Sequence, residues 1–259
     1  MSYELPEEIT LEARGAVRIL TLNRPQKRNA IDPPLYRALC GVWQQIEHDR
    51  EARAVLLTGA GSSFSSGGDI SRWPDYVNDI EARRQTMRYA KRLVDEMVSF
   101  HLPVVCAVNG PAIGLGASIA LLCDIVLIAE DAYIADNHVP AGLVGGEGGP
   151  MVWPQLMSLL HAKEFLLTGR RVEPEEAVQR GLANRVVATD RLQEEALALA
   201  EELAALPSQA VQDTKRAMNL YLQQGGRGVL ELSVASELHS FEFAAVGGSA
   251  ESFLEKGAD

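Results

Sequence analysis

Alternation of apolar and polar positions marks the first clear element. Val17-Arg18-Ile19-Leu20-Thr21-Leu22 reads as a strand, and Asn23-Arg24-Pro25 ends it. Asp32-Pro33-Pro34 is a helix start, with a capping carboxylate and prolines where the first amides have no partner. Leu35, Leu39, Val42 and Ile46 follow at helical spacing. Ala54-Val55-Leu56-Leu57-Thr58 predicts a second strand, running into a loop over 59–69. A long helix from about Ile80 carries Met87, Ala90, Val94 and Met97 on one side.

Further along, Pro103-Val104-Val105-Cys106-Ala107-Val108 is almost continuously apolar, the pattern of a strand covered on both faces. Asn109-Gly110-Pro111 turns it, Gly114-Leu115-Gly116 opens a short apolar helix ending near Cys123, and 125–129 is the next buried strand. Glu173-Pro174-Glu175-Glu176 places acid in the first turn of a helix, where the dipole favours it, and Gly181 terminates that helix. Leu192, Ala196, Leu199, Leu203 and Leu206 form another helical stripe. From Pro207 onwards the pattern is helical, with breaks expected at Gly225-Gly226 and Gly247-Gly248. Strands and helices alternate and then give way to helix, which predicts an α/β fold with a core over 1–205 and a helical region over 206–259.

Composition narrows the class. With 259 residues, 47% of them hydrophobic and 23% charged, the chain can bury a core without disulfide or metal staples. Thirty-five acidic against 24 basic side chains leave a net charge of −11, which repels phosphate backbones and anionic membrane surfaces. Nucleic acid and membrane are therefore excluded as partners. No apolar run approaches the ~18–20 residues of a membrane span, and Glu4, Glu7 and Glu8 stand where a signal peptide would be basic. Cys40, Cys106 and Cys123 are an odd number in apolar surroundings, which fits reduced thiols and a cytoplasmic location. No pair of Cys or His falls at metal-ligand intervals, so no metal is expected.

Two glycine-rich turns carry the candidate chemistry: Phe64-Ser65-Ser66-Gly67-Gly68-Asp69-Ile70 after a strand, and Asn109-Gly110-Pro111-Ala112-Ile113-Gly114-Leu115-Gly116 between a strand and a helix. Glycine lets a ligand approach the main chain, and the second turn sets amides at a helix start. Two converging N–H groups would stabilise an anionic oxygen, each by roughly 3–4 kcal/mol in a transition state. Read without that function, both are tight turns packing helix on sheet.

The ordered set Leu22-Asn23-Arg24-Pro25, Asn29-Ala30, Gly67-Gly68-Asp69, Ala107-Val108-Asn109-Gly110, Cys123-Asp124-Ile125 and Leu167-Thr168-Gly169-Arg170 resembles the enoyl-CoA hydratase/isomerase (crotonase) superfamily, and Phe253-Leu254-Glu255-Lys256 resembles its closing helix. The resemblance implies a spiral of strand–strand–helix turns with a helical C-terminal trimerisation region, as a homotrimer or homohexamer. It implies an acyl-CoA substrate, coenzyme A entering as part of that substrate with no tightly bound cofactor. The oxyanion amides would be those of Gly68 and Leu115. Ser66, Gly67, Asp69, Ile70, Gly114 and Ser118 would contact the substrate, and Trp153 would either line the acyl pocket or simply pack in the core. Asn29 and Ala30 would border the adenosine, with Lys27 and Arg28 near its phosphates. Asp69 and Asp124 also suit turns, accepting backbone amides.

Hydratases of the superfamily use two glutamates, and the matching positions here are Ser118 and His138. Serine has no useful pKa for acid–base work. The expected machinery is instead His138 with Glu147 of Gly145-Gly146-Glu147-Gly148-Gly149, a histidine titrating between about pH 5 and 8 with one ring nitrogen on the carboxylate and the other towards substrate. Two other functions fit the same residues. One is hydrolysis of a carbon–carbon bond in β-diketones, because His138-Val139-Pro140 through Glu147 to Val152-Trp153-Pro154 is similar to the 6-oxocamphor hydrolase branch, where Glu237 matches a further acid but Tyr36 and Leu115 replace histidines. The other is a binding protein without catalysis. The Arg24-Pro25…Asn29-Ala30 and Gly67-Gly68-Asp69 segments favour the thioester.

Overall fold

A computed structural model describes residues 3–243. The expected closing helix at 253–256 and the break at Gly247-Gly248 lie outside the described residues. The chain opens with a hairpin of β1 (Ile9–Arg14) and β2 (Val17–Leu22), then α1 (Pro33–Glu47) and β3 (Ala54–Gly59). Next come α2 (Trp73–Asn78), α3 (Ile80–Ser99), β4 (Val104–Val108), β5 (Ala112–Ile113), α4 (Leu115–Leu121), β6 (Ile125–Ala129) and β7 (Ile134–Ala135). The remainder is helical apart from one strand: α5 (Gly149–Leu156), α6 (Leu159–Thr168), α7 (Pro174–Arg180), β8 (Arg185–Val187), α8 (Leu192–Ala205) and α9 (Ser208–Ser240).

Among the described residues the main sheet runs β1-β2-β3-β4-β6-β8, antiparallel only at the β1–β2 hairpin. Leu20 pairs with Leu57, Leu57 with Cys106 and Cys106 with Val126, so the central strands carry apolar side chains in register. Every residue of β3 and β4 is buried, as their unbroken apolar runs require. α8 packs across β2, β3, β4 and β6.

The spiral shows where each central strand ends. Past β4 the chain makes the short β5 and then α4; past β6 it makes β7, and β5 and β7 pair in parallel. The loop after β3 joins the same layer through Ser65, bridged to Ala112, and through Gly68, bridged to Ile31. Loops leaving the carboxyl ends of neighbouring strands are thus stitched side by side, the place where parallel α/β sheets gather ligand groups.

α9 corrects one expectation. Gly225-Gly226 does not break the helix, which runs unbroken through both residues. A Cβ on Gly226 would stand 2.4 Å from Met151 Cγ, and one on Gly225 2.8 Å from Gln155 Nε2, so these glycines let α9 lie close against α5. Lys215 pins the other side: its Nζ meets the Asp124 carboxylate and the Leu102 carbonyl, both at 2.8 Å. Asp124 also accepts the Val104 amide at 2.7 Å, the turn-holding part expected of it. No helix of the described residues is long and apolar enough to cross a membrane.

Candidate active site

Two backbone turns form one wall of a cavity of about 60 Å³. That volume takes a few waters or a short acyl segment. The Ile31–Gly68 bridge uses the Ile31 amide to Gly67 O and the Asp69 amide to Ile31 O, so Gly68 presents its own N–H on the opposite side. Leu115 is the first residue of α4, where an amide has no intrahelical partner. Among the described residues neither N–H donates to a protein acceptor, and both residues line the cavity. Gly67 makes their approach possible: with φ +87°, a Cβ there would fall 2.6 Å from Ile113 O and 3.4 Å from Leu115 N. Ser66, Gly67, Asp69, Ile70 and Gly114 line the same cavity.

His138, following β7 and 8% exposed, lines the same cavity beside Gly114. Its Nδ1 is 2.6 Å from Asp136 Oδ1, and its Nε2 is 3.4 Å from Glu147 Oε2. Tyr36 of α1 donates to Glu147 Oε1 at 3.0 Å. Glu237 of α9 completes the group, with Oε2 accepting the Gly146 amide at 2.7 Å. Donor atoms of His138, Glu147 and Glu237 all lie within 4.8 Å of one another, a convergence that no ligand spacing in the sequence announces.

The electrostatics follow from burial and proximity. Burial alone would lower the histidine pKa, but the Asp136 charge and hydrogen bond, with Glu147 and Glu237 behind them, raise it well above its ordinary value. These contacts favour the charged form of the ring, and with each nitrogen facing a carboxylate neither is left free for substrate. Asp136, whose burial would raise it, is held below the usual carboxylate range by that cation. Glu237 is pushed up to about 8 by burial and by the Glu147 charge. Burial and the neighbouring carboxylates raise the Tyr36 phenol well above its ordinary value, which keeps it a hydrogen-bond donor.

Other expected site residues fall elsewhere. Trp153 is fully buried and packs on Phe165, with ring centroids 5.8 Å apart, and does not line the cavity. Ser118 is also buried off the cavity, its Oγ without a hydrogen-bond partner beside Gly148. The Asn29 side chain is turned inward: it accepts from the Arg24 amide and donates to the carbonyls of Ala60 and Ser63. It pins the loop, and Ala30 is buried with it. Lys27 and Arg28 remain exposed on that loop, which is joined to the Gly67 turn through the Ser66 amide on Arg28 O. Asp69 caps the turn after it, accepting from Ser71 N and Oγ.

Asp136 is the site residue that the sequence reading misses, while Tyr36 and Glu237 enter it only through the β-diketone hydrolase resemblance. Signals for Asp136 and Glu237 are also present in the chain itself. Asp136 lies two residues before His138, and Glu237 is an acid in an otherwise inward stripe of Leu230, Ser233 and Ser240.

A parallel sheet whose strand-end loops bring spare amides and a buried histidine–carboxylate cluster to one cavity defines an α/β protein with a single candidate site among the described residues at the carboxyl ends of its strands. Residues 12–259 match the enoyl-CoA hydratase/isomerase family model, and the chain belongs to that family within the crotonase superfamily. A crystal structure of an enoyl-CoA hydratase/isomerase from Mycobacterium paratuberculosis is 43% identical, covering 96% of this chain and 100% of that one with a TM-score of 0.93. A monofunctional enoyl CoA isomerase from M. smegmatis is 30% identical over 84% of this chain and 95% of its own, with a TM-score of 0.72. The short-chain-enoyl-CoA hydratase of Clostridium acetobutylicum is 33% identical over 83% of this chain and 82% of its own.

Proposed function

We propose that the protein acts on an acyl-CoA thioester through an enolate whose oxygen rests between the Gly68 and Leu115 amides, with Glu147 moving the proton. One observation carries this: two N–H groups without protein acceptors share a small cavity with a carboxylate held by Tyr36 and His138. Removing the proton beside a thioester carbonyl places negative charge on its oxygen, and fixed donors in a site shielded from water stabilise that charge most. The imidazolium adds to them. A Cβ on Gly114 would stand 3.3 Å from His138 Cε1, so the ring lies against the residue preceding the Leu115 amide. Lys27 and Arg28 would meet the coenzyme A phosphates on the exposed loop, and the free thiols fit a reducing compartment.

The reaction favoured is a proton shift along the acyl chain. Simple hydration needs an acid and a base gripping one water, and Ser118 supplies neither. Hydrolysis of a β-dicarbonyl carbon–carbon bond is the second reading, supported by Glu237 beside His138 and Glu147. There a water would add to the distal carbonyl and the departing carbon fragment would leave as the enolate. Assembly as a trimer or hexamer belongs to the proposal, supported by the exposed apolar side chains of α9 and α6, including Tyr221, Leu232 and Leu160.

Titration calorimetry with short-, medium- and aromatic-acyl CoA, followed by deuterium exchange at the carbon beside the thioester in heavy water, tests the reading. Binding and exchange are expected, with crotonyl-CoA hydration at least ~100-fold slower than a paired acid and base supply. Absence of binding to every thioester removes the thioester reading. Efficient crotonyl-CoA hydration removes the proton-shift reading.

A further inference from the structure

We infer that Glu237 is the proton donor of this site, delivering a proton to carbon of the enolate that Glu147 generates; the inference rests on the enolate reading above. Glu237 reaches the cavity from α9, the last described helix, while the amides and Glu147 come from loops far earlier in the chain. It is 3% exposed, and its Oε2 is held by the Gly146 amide. Its Oε1 takes no protein hydrogen bond among the described residues.

Charge balance assigns the proton. Asp136, Glu147 and Glu237 gather around His138, whose ring takes at most one positive charge, and the described cavity lining holds neither lysine nor arginine. Two buried carboxyls whose oxygens lie within 4.8 Å do not both ionise readily, so the pair holds one proton. Glu147 accepts from Tyr36 and from His138, whereas Glu237 accepts from a single amide, so the proton rests on Glu237. The neighbouring elements do not change this balance. Tyr36 on α1 and Tyr76 on α2 are neutral phenols, Arg83 on α3 reaches the Leu238 carbonyl and the Glu242 carboxylate and does not line the cavity, and Asp69 of the lining is paired with Arg24. Accordingly the Glu237 carboxyl is pushed up to about 8, which keeps it protonated at neutral pH.

The step balances. Glu147 takes a proton from carbon and leaves the bonding pair in the enolate. The enolate's π pair forms a new C–H bond with the Glu237 proton, the oxyanion returns to a carbonyl, and Glu237 is left as carboxylate. Passage of the proton on Glu147 back to Glu237 resets the pair, so an isomerisation neither gains nor loses protons.

Glu237→Gln keeps the size and the acceptor for the Gly146 amide but has no proton to give. With 3-hexenoyl-CoA as probe, kcat for conversion to the conjugated isomer should fall ~100-fold or more with KM little changed. Deuterium exchange through Glu147 should persist. The wild-type rate should fall as pH rises through about 8, and the variant should lose that limb. Glu237→Asp, still an acid, should retain the limb at a reduced rate. Independently of any variant, the infrared carbonyl band of a protonated carboxyl should be present in the wild type at neutral pH and disappear above about pH 8. A Glu237→Gln enzyme with wild-type kcat and pH profile, or a wild type without that band, overturns the assignment and leaves the enolate reading standing. A wild type that exchanges no thioester α-proton overturns both.

Discussion

His138 is gripped at both ring nitrogens, by Asp136 at 2.6 Å and by Glu147 at 3.4 Å, and this double contact favours the charged form of the ring. His138→Asn is an informative substitution because its amide nitrogen can still donate to Asp136 while the charge and the contact to Glu147 disappear. Turnover should drop at least ~100-fold with acyl-CoA affinity nearly unchanged, since the Gly68 and Leu115 donors belong to the backbone. Steady-state kinetics and calorimetry on the variant would check both halves, and a loss confined to affinity contradicts the role. His138 and Glu147 are legible as a pair in the sequence because the superfamily's pattern puts one of them where a catalytic group stands. Asp136 is not, because an aspartate beside a turn reads equally as a turn cap, and only the folded loop aims its carboxylate at Nδ1. Trp153 leaves two readings open in the sequence. An indole is at home in a core or in an acyl pocket, and its place against Phe165 puts it in the core.

Elements announce themselves wherever burial is one-sided or complete. β3, β4 and β6 are apolar runs, and Asp32, whose side chain accepts the Leu35 amide, caps α1 as its position before two prolines requires. β1 is not legible because five of its six residues lie partly or fully open to solvent, which removes the apolar alternation. At Gly225-Gly226 the helix-breaking tendency of glycine, ~1 kcal/mol per residue relative to alanine, yields to close packing of α9 on α5. Gly226→Leu should cost ~1–3 kcal/mol through overpacking against Met151, whereas Gly228→Ala, with open space around its Cβ position, should gain up to ~1 kcal/mol. Equilibrium denaturation of the two variants decides the matter. A stabilising Gly226→Leu would mean that the close approach to Met151 serves no contact.

At the scale of the whole molecule, α9 both supplies Glu237 to the cavity and exposes Met218, Tyr221 and Leu232 on its other side, with Leu160 and Leu167 exposed on α6. Apolar side chains spread so densely over two helices fit burial between copies of the chain. Light scattering at low micromolar concentration should give three or six times the 28.1 kDa chain mass, and replacing Tyr221 and Leu232 by glutamate should shift it towards one. A monodisperse monomer at every concentration would refute the assembly. The sequence by itself determined the α/β class, most strands and helices and the two glycine turns, since each depends on periodicity, capping or backbone freedom within a few residues, and it offered His138 and Glu147 as candidates only through the family resemblance. The tertiary structure alone decided that Asp136 faces the histidine ring, that Tyr36 and Glu237 join Glu147 from helices near the two ends of the described chain, and that Ser118 and Trp153 stand outside the cavity. The reason is physical: side chains brought together by folding out of water acquire their charge from one another, and no local pattern records which neighbours those are.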